Sequence, residues 1–209
     1  MISLRHNFLY VHIPKTAGNA IQNILRHYSE DRIVCETPGQ DGVERFQVRN
    51  DKYKIEKHST LKEYRRELGA AIFAKLFKFC CVRNPWERAI SFYFSPHRGE
   101  VQWDRDAFKK LVTEIVPASA FVMLKKPAAL GKSPFENVDC VIRYDTIEED
   151  FRKVCDRIGI PRAELPVRNK STRDHFTRYY DAELIDLVRA RFPDEINYFG
   201  YEFDSVRAS

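Results

Sequence analysis

Residues 8–25 read FLYVHIPKTAGNAIQNIL, and this stretch constrains the fold more than any other part of the chain. Its first half is rich in β-branched and aromatic residues, which is typical of a buried strand. Pro14 cannot extend a central strand, so we expect a turn there, and Gly18 allows a ligand to approach the backbone. Asn19 is suited to cap the helix that follows. Strand, turn and helix in this order predict an anion-binding loop.

This turn carries the donors that an anion needs. The first N–H groups of a helix are free and bear partial positive charge, Lys15 adds a full charge, and Thr16 adds a hydroxyl. The nucleotide-triphosphate loop has the pattern G-x-x-x-x-G-K-[ST], whereas Lys15 precedes its glycine. A GKS triplet at residues 131–133 does not fit either, because Lys126 stands where the first glycine belongs and Pro134 follows. We therefore do not expect an ordinary ATPase or GTPase.

A second strand-to-helix transition is predicted at residues 77–94, which read FKFCCVRNPWERAISFYF. Asn84 is suited to cap the helix, and Pro85 and Glu87 suit its first turn. The adjacent cysteines, Cys80 and Cys81, are expected on opposite faces of the strand. Helical spacing predicts a buried face formed by Trp86, Ala89, Ile90 and Tyr93.

Arg83 ends this predicted strand, at the sheet edge where open α/β folds bind ligands. A guanidinium is permanently charged and can bind a phosphate with two hydrogen bonds. Arg83 and Ser91 therefore predict a second phosphate site. The alternative is that Arg83 pairs with Glu87 one turn later and that Ser91 has no ligand.

Strand-like and helix-like segments alternate along the chain, which predicts an α/β protein whose parallel sheet is covered on both faces. The 209 residues suffice for one sizeable core, and we expect a single domain over residues 1–209. Residues 44–58 alternate apolar and charged side chains and are expected to form a small hairpin. Strands are predicted at residues 7–13, 32–36, 76–83 and 138–144, and helices at 19–27, 61–68, 85–94, 106–115, 147–158 and 182–192.

Composition narrows the class of protein further. Hydrophobic residues make up 44% and charged residues 31% of the chain, which suits a soluble globular domain. No run approaches the ~18 apolar residues of a membrane helix, and no signal peptide is recognised, so we expect a cytoplasmic protein without a membrane span. The five cysteines form no C-x-x-C pair, so no structural zinc site is expected. A net charge of +5 permits an anionic partner without identifying it.

The two motifs together resemble those of the sulfotransferase family that uses 3′-phosphoadenosine-5′-phosphosulfate, most closely its carbohydrate-type and small bacterial members. The similarity rests on HIPKTAGN after the first strand and VRNPWERAISFY after a later one, and it extends to residues 141–160 and 168–203. It implies a three-layer, P-loop-like fold with a central parallel sheet flanked by helices. It also implies transfer of a sulfuryl group to a hydroxyl acceptor without a required metal.

The resemblance also assigns roles to single residues. Arg83 and Ser91 would hold the 3′-phosphate, and Lys170 would close over the nucleotide. The family usually carries serine or threonine at positions 19 and 20, where this chain has asparagine and alanine. The asparagine amide can still donate, but Ala20 cannot, so weaker binding is expected. The residues that would contact the 5′-phosphosulfate are Lys15, Thr16, Ala17, Gly18 and Asn19.

Sulfuryl transfer requires a base that takes the proton of the acceptor. Histidine has a reference pKa of about 6.5, and His58 lies between the motifs, where the resembling carbohydrate enzymes carry a base histidine. A histidine in a surface loop without a catalytic role is the other interpretation. Glu56 and Glu63 are alternative bases, whereas His12 is expected to pack in the sheet. Lys15 is expected to neutralise the charge that develops on the leaving oxygen.

The acceptor is predicted only as a class, a hydroxyl group on a glycan. Residues 93–106 are a candidate acceptor surface, because Trp103 can stack on a sugar and Arg98 and Arg105 can contact an anionic glycan; a solvated helical cover is the alternative. Other functions left open are a catalytically inactive relative that binds the nucleotide and a kinase-like P-loop enzyme that needs Mg²⁺. A nucleic-acid partner is not expected; it would require steep salt dependence of binding.

Overall fold

The computed structural model describes residues 1–95, 101–124, 132–166 and 173–203. The main sheet contains four of the strands in these ranges, of which three run parallel and one edge strand runs antiparallel. The predicted α/β class with a mostly parallel central sheet is therefore confirmed. The strands are β1 (Ile2–Ser3), β2 (Phe8–Val11), β3 (Arg32–Val34), β4 (Gln47–Arg49), β5 (Phe77–Val82) and β6 (Cys140–Arg143), and the main sheet has the order β1-β2-β5-β6.

Helices surround this sheet at the positions where apolar periodicity predicts most of them. The longest helix is interrupted at Gly69, whose φ of 74° is not helical. In the described part of the chain, no helix is both long enough and apolar enough to cross a membrane. The α-helices are α1 (Gly18–Leu25), α2 (Leu61–Lys75), α3 (Pro85–Tyr93), α4 (Arg105–Glu114), α5 (Ala118–Val122), α6 (Ile147–Ile158), α7 (Ala182–Arg191) and α8 (Pro193–Phe199).

Both faces of the main sheet are buried, each against its own set of helices. On one face, Phe79 and Cys81 of β5 pack with residues of α1 and α6. On the other face, Cys80 and Val82 pack with residues of the remaining helices, including the predicted buried face of α3. The expectation that Cys80 and Cys81 point to opposite sides is thus confirmed. Near-continuous burial along β2 and β5 is what a parallel sheet covered on both faces requires.

The segment at residues 32–49 differs from its prediction. β3 does not join the main sheet but pairs with β4 in a separate two-stranded antiparallel sheet. The expected hairpin within residues 44–58 is therefore wrong, since β4 finds its partner earlier in the chain, with Val34 opposite Gln47. Alternating apolar and charged residues indicate a half-buried strand but do not identify its partner.

Parallel pairing places the ends of three strands at one edge of the main sheet. In β2 and β5, Val11 lies opposite Cys80, and in β5 and β6, Val82 lies opposite Arg143. The chain therefore leaves β2, β5 and β6 at the same carboxyl edge, where residues 12–18, Arg83 and Tyr144 follow. This is the edge at which doubly wound sheets bind ligands.

Candidate functional site

A cavity of about 500 Å³ opens at the carboxyl edge of the main sheet. The strand ends, the first turn of α1 and the α3 helix contribute to its wall. The structure thus brings both predicted phosphate motifs and the candidate base to one cavity, while Lys170 lies outside the described residues. The predicted site residues that line it are Lys15, Ala17, Gly18, Asn19, His58, Arg83 and Ser91.

The loop of residues 14–18, which we call the anion loop, offers a run of unused backbone donors. The N–H groups of residues 15–19 donate to no acceptor among the described residues. Lys15 and Ala17 adopt left-handed conformations, with φ values of 69° and 64°. Alternating left-handed residues bring successive N–H groups into a concavity that binds anions, and a non-glycine residue in this region costs about 1–2 kcal/mol. The loop therefore has the backbone geometry of an anion site.

Asn19 does not cap helix α1, contrary to the sequence prediction. The cap position is held by Ala17, and the helix starts at Gly18. The Asn19 amide lies within the first turn and donates to the backbone oxygen of Glu44 at 2.8 Å and to its carboxylate at 3.3 Å. Both amide hydrogens are therefore engaged, and the backbone N–H of Asn19 is its remaining donor toward an anion.

Gly18 and Thr16 stabilise the anion loop through contacts that were not predicted from the sequence. A Cβ on Gly18 would lie 1.9 Å from the ring of His12, so the position of this ring leaves room only for glycine at residue 18. Thr16 is fully buried, and its hydroxyl donates to the oxygen of Ile13 at 2.8 Å. The Thr16 side chain therefore stabilises the turn, and its hydroxyl does not line the cavity.

Among the described residues, four cationic side chains line the cavity: Lys15, Lys57, Arg83 and Arg173. The Lys15 ammonium donates to Ser95 at 2.7 Å, and burial together with the charges of Arg83 and Arg173 lowers its pKa to about 8. Burial and the neighbouring Arg83 also lower the pKa of Arg173. The cations repel one another in the structure, and an anion between them would relieve that repulsion.

Arg83 is buried and pairs with Glu87, which was the alternative to phosphate binding in the sequence analysis. One Nη atom pairs with Glu87, as the structural alternative predicted, and the other lies 3.5 Å from the oxygen of Lys15. Burial opposes its charge, but the pairing with Glu87 outweighs this effect and raises the pKa of Arg83. Its Nε is buried without a hydrogen-bond partner among the described residues. Arg83 thus keeps a donor for a ligand, and Ser91 lies in the same cavity wall.

Tyr144 and Arg173 also belong to this wall, and neither was singled out from the sequence. The Tyr144 ring lies 3.9 Å below the Arg83 guanidinium. Arg173 has a buried Nη1 atom that finds no partner in the described ranges. Both lie in segments that carry the family resemblance, and Tyr144 directly follows a predicted strand at the ligand edge. That position was the signal that could have identified Tyr144.

The candidate base, His58, lies at the mouth of the cavity, where its side chain is partly buried and partly exposed to solvent. Its Nδ1 lies 3.1 Å from the backbone oxygen of His12. A carbonyl oxygen can only accept, so the neutral ring carries its proton on Nδ1 and leaves Nε2 as an acceptor. Partial burial and the charges of Lys57, Arg88 and Lys15 lower the pKa of His58. A neutral imidazole with an acceptor nitrogen at the cavity mouth has the properties of a general base.

The structure places the alternative bases elsewhere. Glu63 forms a capping box with Thr60 at the start of α2, with its carboxylate 2.7 Å from the Thr60 nitrogen. Glu56 lines a separate surface pocket with residues 49–55. Neither carboxylate lines the cavity that contains the anion loop.

The described residues of the 93–106 segment make contacts within the protein. Trp103 packs in an aromatic cluster with Tyr93, Phe94 and Tyr179. The Arg105 guanidinium pairs with Glu183 of α7 and with Asp181, the residue just before α7. Arg98 lies outside the described residues. The Trp103 and Arg105 side chains therefore contribute to the helical cover that was the alternative to an acceptor surface.

A second, more open cavity of about 410 Å³ adjoins the first. The two share Glu44, Lys57 and His58, so His58 stands between them. Burial lowers the pKa of Lys57 to about 8, and its ammonium lies 3.5 Å from the centre of the Phe46 ring. The other residues of the second cavity are Thr37, Gly39, Gln40, Arg45, Phe46 and Gln47.

Arg88 of α3 joins the second motif to the anion loop. The residue is 3% exposed, and its guanidinium donates to the oxygens of Pro14 at 3.0 Å and Val116 at 3.1 Å. Burial lowers its pKa to about 10, so the guanidinium stays charged at neutral pH. Pro14, the first residue of the anion loop, is therefore held in place by α3, the helix that carries the second motif.

Comparisons with known proteins identify a family. The model of the sulfotransferase family matches residues 1–202. An uncharacterized protein of Archaeoglobus fulgidus is 31% identical over 112 residues, which are 53% of this chain and 89% of that protein. No solved structure matches the chain significantly.

Proposed function

Because the chain belongs to the sulfotransferase family, we propose that it transfers a sulfuryl group from 3′-phosphoadenosine-5′-phosphosulfate to a hydroxyl group of a carbohydrate. The observation that carries the proposal is a single cavity lined by Lys15, Arg83 and Arg173 and by the unused N–H groups of the anion loop. Such a cavity suits a ligand with two separate anionic groups.

The residues present fit this nucleotide at both ends. The N–H groups of residues 15–19 and the Lys15 ammonium would hold the 5′-phosphosulfate. The unpartnered Nε of Arg83, the Nη1 of Arg173 and the Ser91 hydroxyl would hold the 3′-phosphate. Leaving such buried donors without a partner costs about 1–3 kcal/mol each, which a bound phosphate would recover.

The donor supplies an activated sulfur whose bond to the 5′-phosphate oxygen breaks as a bond to the acceptor oxygen forms. His58 would take the acceptor's proton on Nε2, since its Nδ1 is held by the His12 oxygen. Lys15 would stabilise the negative charge that grows on the departing phosphate oxygen. The chain's part in this reaction is positioning, proton removal and charge stabilisation.

The second cavity supports the acceptor assignment. It shares Glu44, Lys57 and His58 with the first cavity, so a hydroxyl bound there would lie next to the base and next to the cavity that would hold the donor. Its wall is mostly polar, with amide and hydroxyl side chains from Thr37, Gln40 and Gln47. These groups can exchange hydrogen bonds with a polyhydroxylated ligand, which is why we favour a sugar hydroxyl.

Calorimetry tests nucleotide recognition directly. We expect 3′,5′-diphosphoadenosine to bind far more tightly than 5′-AMP, and Mg²⁺ to make no difference, because the two anionic groups are held by fixed cations. Equal affinity for both nucleotides would contradict the second phosphate site. Mg²⁺-dependent preference for ATP would instead indicate a kinase-like enzyme.

Sulfuryl transfer itself is tested with a labelled donor against a panel of glycans. Transfer to at least one hydroxyl acceptor is expected. Tight binding of 3′,5′-diphosphoadenosine without transfer to any sugar, lipid or small-molecule acceptor would indicate a nucleotide-binding protein without this activity.

A further inference from the structure

A second histidine lies directly behind the candidate base. We propose that His12 is a positioning residue that sets the ring of His58 relative to the anion loop. This inference rests on the proposed function, in which His58 removes the proton of the acceptor. It assigns His12 a part in the reaction although its side chain is 4% exposed.

The contacts of the His12 ring define this position. Its centroid lies 4.5 Å from that of His58, with an angle of 50° between the rings. On its other sides it stacks on Tyr10 at 6.2 Å and contacts Gly18, whose hydrogen leaves room that a Cβ would fill. The ring is thus held between β2, the first turn of α1 and His58.

The backbone of His12 orients the same partner. Its carbonyl oxygen contacts Nδ1 of His58 at 3.1 Å and so selects the tautomer with a free Nε2. The ring and the carbonyl of one residue therefore fix both the tilt and the protonated nitrogen of His58. Without the ring, the hydrogen bond alone would leave His58 free to rotate about its Nδ1–oxygen axis.

This arrangement connects the base to the anion loop. Gly18 belongs to the first turn that would hold the 5′-phosphosulfate, and it touches the ring on which His58 rests. The distance between Nε2 of His58 and the loop is therefore set through His12. A purely structural core histidine would have no effect on the chemical properties of His58, and this difference can be measured.

His12→Ala removes the ring and keeps the carbonyl. We expect nucleotide affinity within about threefold of wild type and a fall in kcat of roughly 10- to 100-fold, since a misplacement of about 1 Å can cost ~10²-fold in rate. His12→Phe restores a ring beneath His58 and should recover part of kcat. His27→Ala, which removes an exposed histidine just after α1, is the matched control and should change nothing.

The decisive measurement is independent of activity. Nitrogen NMR of histidine-labelled protein reports the tautomer and the pKa of His58 in wild type, His12→Ala and His12→Phe. The other charged groups that face His58, which are Lys57, Arg88 and Lys15, are the same in all three proteins. We expect His12→Ala to keep the tautomer protonated on Nδ1, because the carbonyl remains, and to move the pKa of His58 toward 6.5, because the ring that helps to bury it is gone.

Each outcome decides one of the two proposals. An unchanged pKa of His58 in a folded His12→Ala protein would overturn the positioning role, whatever happens to the rate. If His12→Ala does not fold, His12→Phe provides the test. A wild-type pKa of His58 in His12→Phe together with complete loss of kcat would overturn the positioning role, because His58 would then be held correctly in an inactive protein. Altered His58 signals in a protein without any transferase activity would support the positioning role and refute the proposed function.

Discussion

Gly18→Ala tests the packing of the anion loop against His12. Alanine in place of a helical glycine ordinarily stabilises a protein by roughly 0.5–1 kcal/mol. Here the added Cβ would lie 1.9 Å from Cδ2 and 2.0 Å from Nε2 of His12, whereas real Cβ contacts stay above 3.0 Å. The ring would have to withdraw by more than about 1 Å toward Tyr10 and His58, which already contact it. We therefore expect the opposite sign, a loss of about 1–3 kcal/mol from overpacking.

Urea unfolding followed by circular dichroism measures this difference. Gly39→Ala is the matched control, because nothing lies within 4 Å of a Cβ there, and its stability should stay within about 0.5 kcal/mol of wild type. In the double variant Gly18→Ala/His12→Ala the clash is absent, so the double variant should be more stable than the sum of the single changes predicts. A Gly18→Ala protein as stable as wild type would refute the inference that the His12 ring leaves no room for a Cβ at residue 18.

Three further predictions concern the proposed reaction. His58→Ala should lower the rate of transfer by ~10²–10⁴-fold and leave nucleotide affinity nearly unchanged, because it removes a general base outside both phosphate motifs. The pH profile of kcat/KM should be bell-shaped: it rises through a pKa below the reference 6.5 as His58 loses its proton, and it falls near pH 8 as Lys15, whose pKa is about 8, loses its charge. Arg83→Ala should weaken binding of 3′,5′-diphosphoadenosine about tenfold or more, and Arg83→Lys should weaken it less, since lysine keeps the charge but loses the fork.

Each of these predictions has its own control. Calorimetry with the His58→Ala protein separates lost catalysis from lost binding, and near-normal transfer would exclude His58 as the base. In Lys15→Arg, the fall of kcat/KM near pH 8 should move out of the measured pH range. If the fall near pH 8 remains, it is caused by the titration of another group, such as Lys57. If a folded Arg83→Ala protein binds 3′,5′-diphosphoadenosine with wild-type affinity, Arg83 has a structural role and does not hold the nucleotide.

The two strand-to-helix transitions were predictable because local physics determines them. Apolar runs ending at Pro14 and at Asn84 indicate strand ends, and the cap of α3 forms as predicted, with the Asn84 side chain accepting from Trp86 and Glu87. Since both strands are parallel neighbours, the two motifs necessarily share one edge of the sheet.

The start of α1 was not predictable in the same way. Propensity favours Asn19 as a cap, but Ala17 adopts the left-handed conformation and the helix begins one residue earlier than expected. The reason for Gly18 lies in the tertiary position of His12, which no local pattern contains. The partner of β3 and the place of Arg173 are likewise set by contacts between distant segments.

The contacts of Arg88 have a consequence for how the site opens. Its guanidinium ties Pro14 and Val116 to α3, so the anion loop cannot detach while α3 remains docked without leaving a buried charge and two carbonyls unsatisfied. Local unfolding usually proceeds in contiguous cooperative units. The loop, although it is a turn, should therefore open only together with the helix that anchors it, and nucleotide entry would proceed without melting the loop.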